Sequence, residues 1–198
     1  MPGPARENIQ GLIAQRYAYP LARHFLLKIT DATQARASLR GWLPKVTRAS
    51  DDLSARPEPL LNIGITWPGL GALLTAGHVV GAETAFPADF REPPPLAMAG
   101  VWKGCFSGGE VHLVVSVHCR TEAGLDEASR MVRHGAAGFI ELAPNADGDP
   151  AITARSIGGR KLHFGFLDGI SEPAVNWGDE PDRPDLVDVR QFLLGYWS

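Results

Sequence analysis

The strongest constraint on the fold is the order of four short apolar runs along a chain of 198 residues. The clearest run, at 111–118 (VHLVVSVH), places Val111, Leu113 and Val115 on one face, because successive side chains of a strand point to opposite sides. Each run has the length of a strand. The predicted strands are residues 24–29, 60–66, 111–118 and 138–142.

Helical patterns separate the first strand from the second and the third from the fourth. Residues 32–43 have apolar side chains at helical spacing and follow Thr30 and Asp31, and residues 122–134 follow Thr121, so each has a common N-cap residue in front. Strand–helix–strand, a long loop rich in proline and glycine, then strand–helix–strand is the ferredoxin-like plan. We therefore predict an α+β fold, with an antiparallel sheet and helices on one face.

The pattern changes after about residue 144, and we predict two parts. Residues 1–150 form an N-terminal ferredoxin-like domain, and residues 151–198 begin the connection to a further domain. Smaller features are predicted as follows: a short helix at 70–76, a loop at 84–110, a hairpin at 152–164, a loop at 176–190, and the start of a strand at 192–196.

Composition narrows the class of protein. Hydrophobic residues make up 44%, enough for a core, and the net charge of -3 argues against a nucleic-acid partner. No apolar run reaches the roughly 18 residues of a membrane span, and the first residues show no export signal, so we expect a cytoplasmic protein. Cys105 and Cys119 lack metal-site spacing, and the six histidines are interpreted as structural, so no metal ligand is predicted.

One short motif contains a residue suited to acid–base catalysis. Residues 165–169 (GFLDG) bracket Asp168 with two glycines, which lets the backbone turn sharply and approach a flat ligand. Phe166, Leu167 and Ile170 are apolar neighbours, so the carboxylate loses solvation and its protonated form is favoured. A carboxyl group of this kind can shuttle protons. The pentapeptide alone fits an Asp-Gly turn between two strands equally well.

Other stretches of the sequence strengthen the functional interpretation of this motif. Five stretches occur in order: NIQG at 8–11, LLNIGITWPGLGAL at 60–73, FPADFRE at 86–92, HFGFLDGISEP at 163–173 and QFLLGY at 191–196. Together they resemble the N-terminal half of the Dyp-type (dye-decolorising) haem peroxidases. The resemblance runs from about Asn8 to the end of the chain, and its last two stretches are the most specific.

The resemblance implies an enzyme that binds haem b and uses hydrogen peroxide to oxidise dyes or other bulky organic reductants. Its fold would be that of the dimeric α+β barrel superfamily, with two ferredoxin-like domains. Asp168 would be the distal acid–base, carrying a proton from the inner to the outer oxygen of the peroxide. The residues that would line the haem are Gly165, Phe166, Leu167, Gly169 and Ile170.

The same family places its axial histidine and distal arginine in a second half, which these 198 residues do not include. We therefore expect a chain truncated before the second domain, inactive alone and able to form homo-oligomers. The alternative is a truncated, non-catalytic ferredoxin-like or haem-binding module.

Overall fold

The computed structural model describes residues 5–14, 16–56, 58–74, 104–106, 109–144, 150–158, 161, 164, 166, 174–178 and 184–193. The helices in these residues are α1 (Gly11–Ala14), α2 (Ala32–Trp42), α3 (Trp67–Leu73) and α4 (Glu122–His134). The strands are β1 (Leu21–Ile29), β2 (Leu60–Ile65), β3 (Leu113–Cys119), β4 (Phe139–Leu142), β5 (Ile152–Arg155), β6 (Ala174–Asn176) and β7 (Leu186–Asp188). Short 3-10 turns occur at Arg6–Asn8, Leu43–Lys45, Gly104–Phe106 and Val189–Gln191.

The main sheet has the order β2-β3-β1-β4, with antiparallel neighbours. Strand β1 is long enough to carry two partners on one edge. Its second half pairs with β4, and its first half pairs with β5. With the helices α2 and α4 in the two crossovers, this order is that of a ferredoxin-like sheet. The predicted α+β fold class is therefore confirmed.

The core lies between one face of this sheet and the helices. In β3 the buried side chains alternate along the strand, as Leu113, Val115, Val117 and Cys119, and all four are fully buried. Phe25 of β1 packs in the same cluster. Helix α4 closes the cluster with Leu125, Ala128 and Val132, while α2 contributes Trp42, whose ring stacks on Phe139 at 5.7 Å between centroids.

The helix N-termini are fixed by the side chains that precede them. Asp31 accepts hydrogen bonds from the backbone N–H groups of Thr33 and Gln34, and Thr121 accepts one from Gly124. Thr66 caps α3 in the same way, accepting from the N–H of Gly69. Each cap satisfies backbone donors that the first turn of a helix leaves unpaired.

The cap on α3 corrects one sequence prediction. We expected a helix at 70–76, but α3 begins three residues earlier, at Trp67. The reason is the Thr66 cap followed by Pro68, since proline in the first helical turn loses no hydrogen bond.

One further prediction was wrong after residue 150, and another stays open. Strand β5 pairs with β1 in the main sheet, but most of the second arm of the expected hairpin at 152–164 lies outside the described residues, so the hairpin stays a prediction. The expected loop at 176–190 contains β7, which pairs in parallel with β6. Phe192, expected to open a strand, follows a 3-10 turn, and residues 194–198 lie outside the described part of the chain. The division of the chain at residue 150 stays a prediction.

The outer edge of β2 is covered by side chains from other segments. Gln10 Nε2 donates to the carbonyl of Ile63 at 2.7 Å, and Gln10 Oε1 accepts from the Ile63 N–H at 2.9 Å. Two residues along, Thr47 makes the equivalent pair of bonds to Leu61. The amide of Gln10 thus acts as one residue of an additional strand, which protects an edge that would otherwise be open to pairing.

Loss of this amide should destabilise the fold measurably. We expect Gln10→Ala to lower the free energy of unfolding by about 1–3 kcal/mol, because two backbone groups of Ile63 lose their partners. Urea denaturation measures the change. Gln34→Ala is the control, since its exposed amide bonds only Asp31. Equal losses in the two variants would contradict the proposed role of Gln10.

Candidate functional site

The GxxDG motif is described only in part. Asp168 and the haem-lining candidates Gly165, Leu167, Gly169 and Ile170 lie outside the described residues. Phe166 is described, and 72% of its surface is exposed. Phe164, two residues earlier, is 81% exposed. Two large aromatic side chains, one in the motif and one just before it, are therefore open to solvent, and exposed apolar surface can mark a place that another surface covers.

The segments on either side of the motif are tied to regular structure. Before it, β5 pairs with the first half of β1. After it, β6 pairs with β7, and buried Asn176 accepts a hydrogen bond from the Gly178 N–H through Oδ1. The guanidinium of Arg6 lies over the ring of Trp177 at 5.0 Å. The chain that carries the motif thus starts and ends at hydrogen-bonded strands.

A polar group occupies the sheet face opposite the helices. Asn62, Ser116 and His24 are cross-strand partners on this face. His24 Nδ1 lies 2.8 Å from Ser116 Oγ, and the His24 ring meets the His118 ring edge-on at 6.1 Å. Tyr17 packs edge-on against the other side of His118 at 5.1 Å. Sequence analysis missed this group, because its members are distant in the chain and only the alternation in β3 pointed to this face.

Burial keeps these two histidines neutral near pH 7. It lowers the pKa of His24 below 6.5 and lowers that of His118 to about 4, with the neighbouring His24 as a smaller cause. His112 accepts a hydrogen bond from the Ile29 N–H at 3.1 Å through Nδ1. Within the described ranges, no three His, Cys, Asp or Glu side chains gather where they could hold a metal ion.

This burial predicts a loss of stability in acid. The unfolded chain takes up protons on its histidines near pH 6.5, whereas folded His118 resists them until about pH 4. The contribution of His118 to the free energy of unfolding is therefore fully present above about pH 6.5, and it is lost as the pH falls towards 4. We expect about 1–2 kcal/mol from His118, half the full linkage value because the ring is partly solvated.

Urea titrations at several pH values test this expectation. His118→Gln should flatten the slope between pH 6.5 and 4, because it removes the titrating ring. An undiminished slope in His118→Gln would assign the acid sensitivity to other groups.

The chain is similar in sequence to known proteins over most of its length. A scan against protein-family models found no match. A dye-decolorizing peroxidase of Mycena epipterygia is 27% identical over 195 residues, covering 96% of this chain and 36% of that protein. A dye-decolorizing peroxidase of Exidia glandulosa is 27% identical over 186 residues, covering 91% of this chain and 36% of that protein.

Solved structures agree with these relatives. A dye-decolorizing peroxidase in complex with 2,6-dimethoxyphenol superposes with a TM-score of 0.73 at 24% identity, covering 91% of this chain and 42% of that one. A fungal DyP-type peroxidase from Auricularia auricula-judae gives a TM-score of 0.70 at 20% identity, covering 95% of this chain and 42% of that one. At these identities the superpositions show a shared fold.

The sheet order and these superpositions place the chain in the α+β class that includes the DyP-type peroxidases. The chain is related to the Dyp-type peroxidases, whose N-terminal half it matches. The relationship expected from the ordered motifs is thus confirmed. The chain spans about a third of the length of the curated relatives, since it covers 36% of each of the first two.

Haem is the cofactor that this relationship implies, and the described residues fit one part of its binding. Phe164 and Phe166 offer exposed aromatic surface of the kind that a flat apolar macrocycle covers. His112 fits poorly as an iron ligand, because its Nδ1 accepts the Ile29 N–H and its proton therefore lies on Nε2. The aromatic side chains thus suit the edge of a haem.

Proposed function

We propose that this chain is the N-terminal portion of a Dyp-type haem peroxidase that oxidises dyes or other bulky organic reductants with hydrogen peroxide. The observation that carries the proposal is the relationship to dye-decolorizing peroxidases along 195 residues, together with a GxxDG motif that includes Asp168. The exposed aromatic side chains Phe164, just before the motif, and Phe166, within it, support the proposal, because they leave apolar surface for a cofactor or a second domain to cover.

Within this proposal, haem b supplies the iron at which the oxygen–oxygen bond of the peroxide is broken. Asp168 is the acid–base that accepts a proton from one peroxide oxygen and returns it to the other. Gly165 and Gly169 let the backbone approach the macrocycle closely, since neither has a side chain to clear. Phe166, Leu167 and Ile170 would line its edge when it is bound and would then exclude water from the Asp168 carboxyl.

The axial histidine and the distal arginine are proposed to come from sequence outside these 198 residues. A second domain that supplied them would also cover Phe164 and Phe166. Until it did, this apolar surface would favour self-association into a homo-oligomer. In the described part of the chain no helix is long and apolar enough to cross a bilayer. A cytoplasmic location stays a prediction.

Haem titration and dye oxidation test the proposal. For the 198-residue chain alone we expect weak haem binding and dye oxidation no faster than with free haem, because an axial histidine is needed to tune the iron. Supplying the second half should give stoichiometric haem and peroxide-dependent turnover. Haem uptake without turnover in that longer protein would indicate a haem-binding module, and no uptake would indicate a non-catalytic ferredoxin-like module.

A further inference from the structure

His112 lies where the chain enters β3, and its backbone joins this point to two other elements. Its N–H donates to the carbonyl of Leu27 in β1 at 2.9 Å. Its carbonyl accepts from the N–H of Thr66, just before α3, at 3.0 Å, and from the Thr66 hydroxyl at 3.2 Å. These bonds fix the backbone of His112 between β1 and the start of α3.

The ring of His112 takes the place of a backbone acceptor. The regular ladder between β1 and β3 ends at the pair of Leu27 and Leu113. Beyond it, Ile29, the last residue of β1, donates its N–H to Nδ1 of His112 at 3.1 Å. A neutral imidazole accepts such a bond through the nitrogen that has no hydrogen, whereas a protonated imidazole has a hydrogen on both nitrogens and accepts none. This hydrogen bond therefore requires a neutral His112.

The surroundings of the ring favour its neutral form. Burial lowers the pKa of His112 below 6.5, and the positive charge of Lys28 acts in the same direction, while Glu110 opposes both. Lys28 and Glu110 also form an ion pair with each other at 2.7 Å. Helix α3 and strand β2 have no charged residue in their sequences, and Glu141 of β4 is paired with Arg133 of α4. Among the described elements at this point, Glu110 is thus the carboxylate that acts on the ring, and Lys28 shares it.

We propose that His112 is a pH-sensitive latch, which holds the end of β1 to the start of β3 and opens when its ring is protonated. The latch is closed at neutral pH. Acid opens it, because the open state takes up a proton at a higher pH than the closed state does. Opening frees the N–H of Ile29, two residues before the Asp31 cap of α2. The latch does not depend on haem or on the proposed peroxidase activity.

Nuclear magnetic resonance of the 198-residue chain, between about pH 8 and pH 4, tests the latch. We expect the ring nitrogens of His112 to show hydrogen on Nε2 at neutral pH and to titrate below 6.5. The amide proton of Ile29 should shift with the same midpoint. Its protection from hydrogen exchange should fall about fivefold to tenfold, as expected for the loss of one hydrogen bond. Protection is measured relative to the Val115 amide in the middle of the same sheet, which corrects for any global loss of stability in acid.

Substitutions separate the latch from a general effect of acid. His112→Asn puts an amide oxygen near the position of Nδ1 and does not titrate, so Ile29 should stay protected as the pH falls. His112→Ala removes the acceptor, so Ile29 should lose protection by the same factor already at neutral pH. His118→Gln should leave the transition unchanged, because that ring lies at the other end of β3.

Three results would each overturn the proposal. The first is an Ile29 amide that does not follow the titration of His112. The second is an ordinary pKa of about 6.5 for His112. The third is a transition at Ile29 that persists in His112→Asn. Where His112→Ala does not fold, the unchanged chain and His112→Asn still decide the outcome.

Discussion

Replacing Asp168 by asparagine should lower the peroxide-dependent rate about 10²–10⁴-fold at the optimum pH, in a protein that includes the second half. Asparagine keeps the shape of the side chain, but its amide cannot accept the proton that the peroxide must give up. The change leaves the flanking glycines and the aromatic residues Phe164 and Phe166 in place. The loss should therefore fall on the turnover rate while haem content stays constant.

Two measurements make this expectation specific to Asp168. The haem absorbance of the variant should equal that of the unchanged protein, which separates lost chemistry from lost cofactor. Glu127→Gln, on the exposed face of α4, removes a carboxylate of the same charge and should leave the rate unchanged. A loss below about threefold in Asp168→Asn would remove this residue from the mechanism and assign proton transfer to another group, such as the distal arginine.

The fold was predictable wherever the pattern of one segment decides its structure. The alternation in 111–118 and the cap residues Asp31 and Thr121 indicated elements whose type does not depend on distant partners. Strand β1 was also predicted, although it begins at Leu21, three residues earlier than expected. Pairing to β3 on one edge and to β5 on the other extends this start, and no local pattern in the sequence contains that information.

The features that escaped prediction depend on pairing between distant segments. Strand β5 is exposed along its whole length, so it lacks the alternation that marks a half-buried strand. Strands β6 and β7 have three residues each, too short for any periodicity to be read. Gln10 was noticed as part of the NIQG stretch, but its role as an edge cap requires β2 beside it.

The candidate site also contains some features that one segment of sequence reveals and others that depend on pairing between distant segments. The motif around Asp168 was found because its residues are consecutive and lie among other stretches in a familiar order. The polar group on the sheet face joins His24 and Ser116, which are 92 positions apart in the chain, and its members have no distinctive spacing in the sequence. Consecutive motifs are therefore visible in a single sequence, whereas sites formed by pairing become visible only with the fold.

Two glycines in helix α3 give the sharpest test of packing. A Cβ atom at Gly69 would lie 2.1 Å from the carbonyl oxygen of His112, and the other close atoms there are also backbone. A Cβ atom at Gly71 would meet nothing within 4 Å. The same substitution in one helix should therefore have opposite effects at positions two residues apart.

Gly69→Ala should lower the free energy of unfolding by about 3 kcal/mol, because the loop at His112 or the start of α3 must move to admit the methyl group. For a chain of this size that corresponds to a fall of about 6–12 °C in the thermal midpoint. Gly71→Ala should raise stability by about 0.5–1 kcal/mol, since alanine restricts the unfolded chain and favours the helix. Calorimetry or urea denaturation of the two variants measures both effects. If Gly69→Ala were as stable as Gly71→Ala, the close approach of α3 to His112 would be wrong, and with it the position of α3 against the start of β3.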